Sequence, residues 1–443
     1  MSFLERLVNK VSNVLHNESL RNSGAEWIGA IPQEWGISKI GSLYTLRNQK
    51  VSDKDYPPLS VTKNGVVPQL STAAKTDDGD NRKLVRVGDF VINSRSDRRG
   101  SCGISQYDGS VSLINTILTP RGKMHPGYYN WLFHTTSFAD EFYKWGHGIV
   151  DDLWTTRWQE MKRILVPVPP YETQNQIALF LEGYCSKINA IISEAKTSIE
   201  EYKSWKASII YEAVTKGLVP DVEMKDSGVE WIGKMPVHWR LIPFRYVLQE
   251  RNERNTSVIS KERLSLSIDL GVTLYADKTT NLDRFKEDFS QYKLAYEGDL
   301  VMNSMNMIVG ASGVSSWFGC VSPAYYTFYD TIEDHVTAKF CEYIFRNKAI
   351  LRVLHSLGKG IYSIERGDDR VNTCRLKVSK DDLKKILIPI PTVEEQRKIV
   401  RYLEDKCTML DTLVNEKQSL IAELEAYKKS LIFEVVTGKR RVV

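Results

Sequence analysis

The chain has 443 residues, enough for two or three domains, and its 42% apolar and 26% charged residues are the proportions of an ordinary globular protein. Sixty basic against 55 acidic residues leave a net charge of +5, which permits a nucleic-acid partner without requiring one. No apolar run approaches the roughly 18 residues of a helical membrane span. The six cysteines form no C-x-x-C pair and no zinc-ligand spacing, the usage of a reduced, cytoplasmic protein.

In chain order, residues 1–22 read as an amphipathic helix rather than a secretory leader. Leu4, Leu7, Val8, Val11, Val14 and Leu15 recur at helical spacing, with Glu5, Lys10 and Glu18 between and around them. Ser23–Trp35 follows as SGAEWIGAIPQEW. Leu84–Asn93, Val111–Thr119 and Ile164–Val168 are β-rich, and Gly88-Asp89 inside the first is turn chemistry. Tyr128–Lys144 reads as a helix ending near Gly146 and Gly148. After P-x-P, Thr173 is placed to open a long helix, with apolar residues at Ile177, Leu181, Tyr184, Ile188, Ile191, Ala195, Tyr202, Trp205 and Ile209.

The order then repeats. Ser227–Trp239, SGVEWIGKMPVHW, matches the first tryptophan motif at eight of thirteen positions, 204 residues on. The offset is 210 between Gly88–Ser94 (GDFVINS) and Gly298–Ser304 (GDLVMNS). It is 222 between Ile164–Ile177 (ILVPVPPYETQNQI) and Ile386–Ile399 (ILIPIPTVEEQRKI). Leu294–Asn303 repeats the β-rich run, Thr337–Leu354 the aromatic helix and Gly358/Gly360 the glycine pair. Thr392 or Glu394 opens a second long helix with its seam at Ile399, Leu403, Leu410, Leu413, Leu420, Leu424, Tyr427 and Leu431. Cys185 and Cys407 are equivalent under the 222 offset and read as repeated helix packing. The expected fold class is α+β, with two pseudo-twofold-related α/β domains joined by two long antiparallel helices forming a coiled coil. The divisions are 1–22, 23–165, 166–226, 227–388 and 389–443.

Taken together and in this order, the duplicated S-G-x-E-W-I-G-x-x-P-x-x-W, G-D-x-V-x-N-S and I-x-x-P-x-P-x-x-E-x-Q-x-x-I motifs resemble the specificity (S) subunit of type I restriction–modification systems. The resemblance runs from Ser23 essentially to the end. It implies two target-recognition domains, each reading half of a bipartite, asymmetric double-stranded DNA site. It also implies helices that set the spacer between the halves and dock two methyltransferase (M) subunits, with restriction (R) subunits as further partners. The chain itself would be non-catalytic and carry no cofactor. S-adenosylmethionine would belong to the M subunits, and ATP and Mg to the R subunits. The residues agree in part, since no phosphate-binding loop, adenine-methylase motif or H-E-x-x-H is present. Two alternatives are a coiled-coil adaptor that reads no DNA and a diverged single-chain DNA methyltransferase.

Between Asn81 and Arg99 six basic residues (Arg82, Lys83, Arg86, Arg95, Arg98, Arg99) stand against two acidic ones. Arginine can bind guanine in two-pronged fashion, and asparagine or glutamine can do so to adenine. Asn93, Arg95, Arg98 and Arg99 are therefore candidate DNA contacts. At the matching place in the second copy stand Asn303, Met305 and Asn306, suited to adenine or a thymine methyl. Further candidates lie in turns: Lys63, Asn64, His147, Trp154 and Arg157 in the first copy, and Lys359, Tyr362, Arg366 and Arg370 in the second. The tryptophan motif, being the same in both copies, reads as a domain root or partner contact and not as a base reader.

Overall fold

The structure, a computed structural model, describes residues 20–71, 78–95, 98–148, 154–277, 288–360 and 376–442. They fall into two compact units, Met1–Lys196 with Gln418–Val443, and Thr197–Lys417. The first long helix, Tyr171–Lys216, and the second, Val393–Val436, each contribute one half to each unit. Most of the helix expected over 1–22 lies outside the described residues. Its last part is extended instead: Leu20–Asn22 pairs antiparallel with Ala30–Pro32.

Unit 1 is built on an antiparallel sheet ordered Cys102–Ile104, Phe90–Asn93, Asn115–Pro120, Tyr44–Arg47. A smaller sheet joins Gly109–Val111, Arg82–Val85 and Lys50–Val51. Two β-rich runs of the sequence split at turns, Leu84–Asn93 at Gly88, which takes φ 88°, and Val111–Thr119 between Val111 and Asn115, while Ile164–Val168 holds one strand, Leu165–Val168. The expected helix over Tyr128–Lys144 is two, Pro126–Phe133 and Thr136–Lys144, because the Thr135 hydroxyl accepts from Phe138 N and caps a new start. Phe90, Tyr129, Phe133 and Phe138 fill the core between these helices and the sheet.

Unit 2 repeats the order. Its sheet runs Ser312–Val314, Leu300–Asn303, Tyr325–Tyr329, Gln249–Arg251. Its helices are Val336–Phe345 and Lys348–Leu357, divided at Asn347, whose side chain accepts from Ala349 N. Phe244, Phe328, Phe340 and Phe345 occupy the corresponding core.

The proline motif closes each unit. Leu165–Val168 pairs with Gly36–Lys39, and Leu387–Ile390 with Arg240–Pro243. The motif glutamines are buried where strand meets helix. Gln174 Nε2 donates to Pro169 O at 2.8 Å, and Gln396 Nε2 to Pro391 O at 3.1 Å. The first helix begins at Tyr171, two residues before the expected Thr173, with Gln174 N bonded to Pro170 O. The second starts just after Thr392, whose hydroxyl accepts from Glu395 N.

Within unit 1 the two helix segments run antiparallel, Lys428 Nζ donating to Asn189 Oδ1 at 2.7 Å. Ile177, Leu181, Ile188 and Ile192 share a core with Leu424, Leu431 and Val435, and Cys185 is buried as well. Unit 2 has the same arrangement, with Lys206 Nζ 2.7 Å from Asp411 Oδ1 and Ala213 and Val214 packed with Ile399 and Leu403. Trp205, expected in the seam, is 51% exposed.

Each tryptophan motif receives a helix end. In unit 1, Tyr128 OH donates to Val436 O at 2.8 Å and Lys439 Nζ to Ile28 O. Gly438, at φ 72°, is pressed so closely on Pro32 and Trp35 that a Cβ there would lie 2.4 Å from proline carbon. In unit 2, Tyr211 OH donates to Ile232 O, and Gly217 lies against Trp239. Trp35 and Trp239 are 4% and 1% exposed, so neither is placed to stack on a base.

Candidate nucleic-acid interface

The G-D-x-V-x-N-S motif is a frame for a loop. Asp89, 1% exposed, accepts from Arg47 Nε at 2.7 Å, Arg47 Nη2 at 3.1 Å, Thr119 Oγ1 at 2.9 Å and Arg86 N at 2.8 Å. Asp299 repeats this with Arg251 Nε at 2.6 Å, Arg251 Nη2 at 3.1 Å and Tyr296 N at 2.9 Å. Burial raises the Asp299 carboxyl against the opposing pull of Arg251. Four residues on, the motif asparagine starts the loop: Asn93 Oδ1 accepts from Arg95 N at 3.1 Å, and Asn303 Oδ1 from Met305 N at 3.0 Å.

A second segment is tied beside each loop. Thr156 N donates to Ser94 O, and His147 and Thr155 exchange backbone hydrogen bonds at 3.0 Å. In unit 2, Val378 N donates to Ser304 O, and Lys359 and Lys377 exchange theirs at 2.9 Å. The glycine-pair turns foreseen from sequence therefore stand next to the loops that follow the asparagines.

This brings several predicted residues together. Asn93, Arg95, Arg99 and Trp154 line one small pocket with Tyr143 and Thr156. Trp154 stacks on Tyr143 at 5.7 Å and 29°, and its Nε1 donates to Tyr143 O at 3.0 Å. Arg99 is exposed, paired with Asp140 and lying over the Tyr143 ring. Arg95, Arg98, His147 and Arg157 are exposed, while Asn93 is half-buried. Lys63 and Asn64 are exposed at the tip of the hairpin Leu59–Thr62/Gly65–Pro68, which packs on Cys102–Ile104. In unit 2, Asn306 is exposed and Lys359 pairs with Asp382 at 3.3 Å, but Asn303 is 7% exposed and committed to its turn. Tyr362, Arg366 and Arg370 lie outside the described residues.

Not all of the basic run faces outward. Arg82 is buried, its Nε 2.8 Å from Ser110 Oγ, and burial lowers its pKa. Lys83 Nζ donates to Asn115 O at 2.7 Å, and Arg86 pairs with Asp108 at 2.7 Å. The outward charge of the stretch rests on Arg95, Arg98 and Arg99.

Sequence reasoning missed Lys377, exposed beside Lys359. It also missed the second hairpin, Leu264–Ser267/Gly271–Leu274, whose tip is Ile268-Asp269-Leu270. The signal was present, since LSVTKNGVVP and LSLSIDLGVTL are alike at both ends and differ in the middle. Ile268 and Leu270 are 47% and 76% exposed, and Arg346 Nη2 holds the tip by donating to Ile268 O and Asp269 O, each at 2.7 Å. The five described cysteines are unpaired and buried. Among the described residues no group of His, Cys, Asp or Glu could hold a metal, and no helix is long and apolar enough to cross a membrane.

No family model matches the chain. It is 21% identical over 443 aligned residues to the putative type I restriction enzyme MjaX specificity subunit of Methanocaldococcus jannaschii, covering 94% of this chain and 96% of that protein. It is 22% identical over 434 residues to the type I restriction enzyme MjaVIII specificity subunit of the same organism, covering 93% and 94%. Among solved structures, a chain from work on complex assembly and conformational transition of the type I R-M system matches with TM-score 0.66. That match has 14% identity and covers 92% of this chain and 98% of that one. The HsdS subunit from Thermoanaerobacter tengcongensis matches with TM-score 0.53 and 15% identity over the same shares. The chain is thus similar, over more than nine-tenths of its length and of theirs, to type I restriction enzyme specificity subunits, and it shares the fold of the two solved chains.

Proposed function

We propose that the chain is the DNA-reading, non-catalytic subunit of a type I restriction–modification assembly. Each unit reads one half of a bipartite site, and the long helices dock two methyltransferase subunits and set the spacer. The observation that carries this reading is the pairing of like frames with unlike loops. Asp89–Arg47 with Asn93, and Asp299–Arg251 with Asn303, hold the same turn geometry. Beyond the turn, one unit carries Ser94-Arg95 with Arg98 and Arg99, and the other Ser304-Met305-Asn306. The hairpin tips differ likewise, Lys63-Asn64 against Ile268-Asp269-Leu270. Cationic donors in unit 1 suit phosphate and guanine, and the amide and apolar groups of unit 2 suit adenine and the thymine methyl.

The test is a map of N6-methyladenine in DNA from cells making this chain with a methyltransferase subunit. Replacing residues 94–100 should alter one half of the methylated site and leave the other half as it was. An unaltered site, or loss of preference at both halves, would remove the loop from the reading surface.

A further inference from the structure

The two sockets that receive the helix ends differ in charge. In unit 2, Trp239 Nε1 donates to Glu395 Oε1 at 2.9 Å, and Glu395 Oε2 lies 3.1 Å from His238 Nε2. A carboxylate thus occupies the corner between the tryptophan, Gly217 and the first turn of the second long helix. A Cβ on Gly217 would lie 3.3 Å from Glu395 Oε1.

In unit 1 the residue at the place of Glu395, 222 positions earlier, is Thr173. The Trp35 indole has no acceptor among the described residues. The corner is a cavity of about 220 Å³ lined by Trp35, Thr173, Gln176, Glu34, Arg440 and Arg441, among others. Arg440 is 8% exposed, and its Nε is buried without a hydrogen-bond partner. Its ion pair among the described residues is to Glu434 at 3.7 Å, outside good hydrogen-bonding range. Among the described residues the one carboxylate lining the cavity is that of Glu34, and it is exposed. In unit 2 the residues after the helix-ending glycine are Leu218, Val219 and Pro220, so the arginines belong to unit 1 alone.

The Trp35 indole N–H, without a protein acceptor among the described residues, and the mostly buried Arg440 guanidinium line this corner at the first turn of a 46-residue helix, a donor set for an anion. We propose that this cavity binds a carboxylate from outside the chain, in the place where unit 2 supplies Glu395. The ligand is either a small free carboxylate or an acidic side chain of a polypeptide. The assignment does not depend on DNA reading, and neither fails with the other.

The test is calorimetric titration of the full chain, at constant ionic strength, with acetate, N-acetylglutamate α-amide and inorganic phosphate. Saturable 1:1 binding of a carboxylate is expected. Thr173→Glu should weaken it at least tenfold by presenting the chain's own carboxylate to Trp35. An acidic residue in a first helical turn is tolerated, so this variant should stay folded. Arg440→Gln should weaken binding as well. A glutamate mimic binding tenfold tighter than acetate makes the source a polypeptide, and equal binding makes it a free carboxylate. Absence of saturable carboxylate binding, undiminished binding by Thr173→Glu, or phosphate binding tighter than both carboxylates would each overturn the proposal.

Discussion

Replacing Lys63 and Arg95 together by alanine should flatten the salt dependence of DNA binding. Both side chains are exposed, one at the hairpin tip and one in the loop after Asn93, and neither has an ion pair among the described residues. Each is free to release one condensed counterion at a phosphate. A phosphate contact contributes about 0.9 to the slope of log affinity against log salt, so the pair contributes about 1.8. Over a rise from about 50 to about 200 mM salt, a fourfold change, one such contact is worth about 3.5-fold in affinity and two about 12-fold. The double variant should therefore lose about 12-fold less affinity than the parent over that range. Arg99→Ala should change the slope by less than Arg95→Ala, because Asp140 already partly neutralises Arg99. Lys187→Ala, exposed on the first long helix, serves as the control and should leave the slope alone. The assay is fluorescence anisotropy of labelled duplex with the chain and the proposed methyltransferase subunit across a salt series. A slope reduced by less than about 0.5 in the double variant would show that these residues do not meet phosphate, and the hairpin tip and loop would leave the proposed interface.

Two further outcomes concern the buried polar groups. Asp299→Ala should destabilise unit 2 by about 3 kcal/mol in denaturant unfolding, the lower end for breaking a buried ion pair. The Arg251 side chain is 23% exposed and can lean toward Glu253 at 3.9 Å, and a cost below about 1 kcal/mol would mean the frame is not held by this pair. The second concerns acid. Burial works against ionisation of Glu250, but hydrogen bonds from Lys380 and Lys384 outweigh it and hold the carboxyl below its ordinary value. A depressed carboxyl contributes stability that is present above the ordinary carboxylate range and lost as pH falls through the folded value. Glu250→Gln should therefore flatten the acid limb of unit 2 stability measured between about pH 5 and about pH 2, and an unchanged limb would refute the linkage.

The long helices were legible because their apolar spacing persists for many turns, but the seam drawn at strict heptads drifted. Burial falls at Cys185 and Ile192, one residue after the expected Tyr184 and Ile191, and Trp205 is exposed. A straight helix turns about 20° per heptad away from a 3.5-residue repeat, which over several heptads carries a predicted seam residue onto the surface. In the candidate interface, the neighbours of a motif in sequence were readable. Asn93 and Arg95 come directly after the G-D turn and its strand and stand together in space. Features that depend on distant partners were not readable. Arg82 and Lys83 are consumed by Ser110 and Asn115, 28 and 32 residues away, so the charge counted along the chain overstated the charge presented at the surface. Asp140, which partly cancels Arg99, lies on a helix some forty residues later and left no mark on the local composition.

The repeated G-D and proline motifs share one physical property, that each holds a polar group out of water. Asp89 and Asp299 close ion pairs at 1% exposure, and Gln174 and Gln396 tie off proline carbonyls at 3% and 2%. Loss of a partner at such a site leaves the other group buried and unpaired, at about 1–3 kcal/mol for a neutral group and more for a charge. The candidate DNA-contact residues that differ between the units sit where water can replace any lost contact: Lys63, Asn64, Arg95, Arg98 and Arg99 in one, and Asn306, Ile268 and Leu270 in the other. Substitution there falls within about 0.5 kcal/mol for most surface positions. The fold thus separates the groups that keep a unit together from those that would meet DNA. One frame can carry Arg95 and its neighbours in the first unit and Met305 and Asn306 in the second without altering the sheet beneath either.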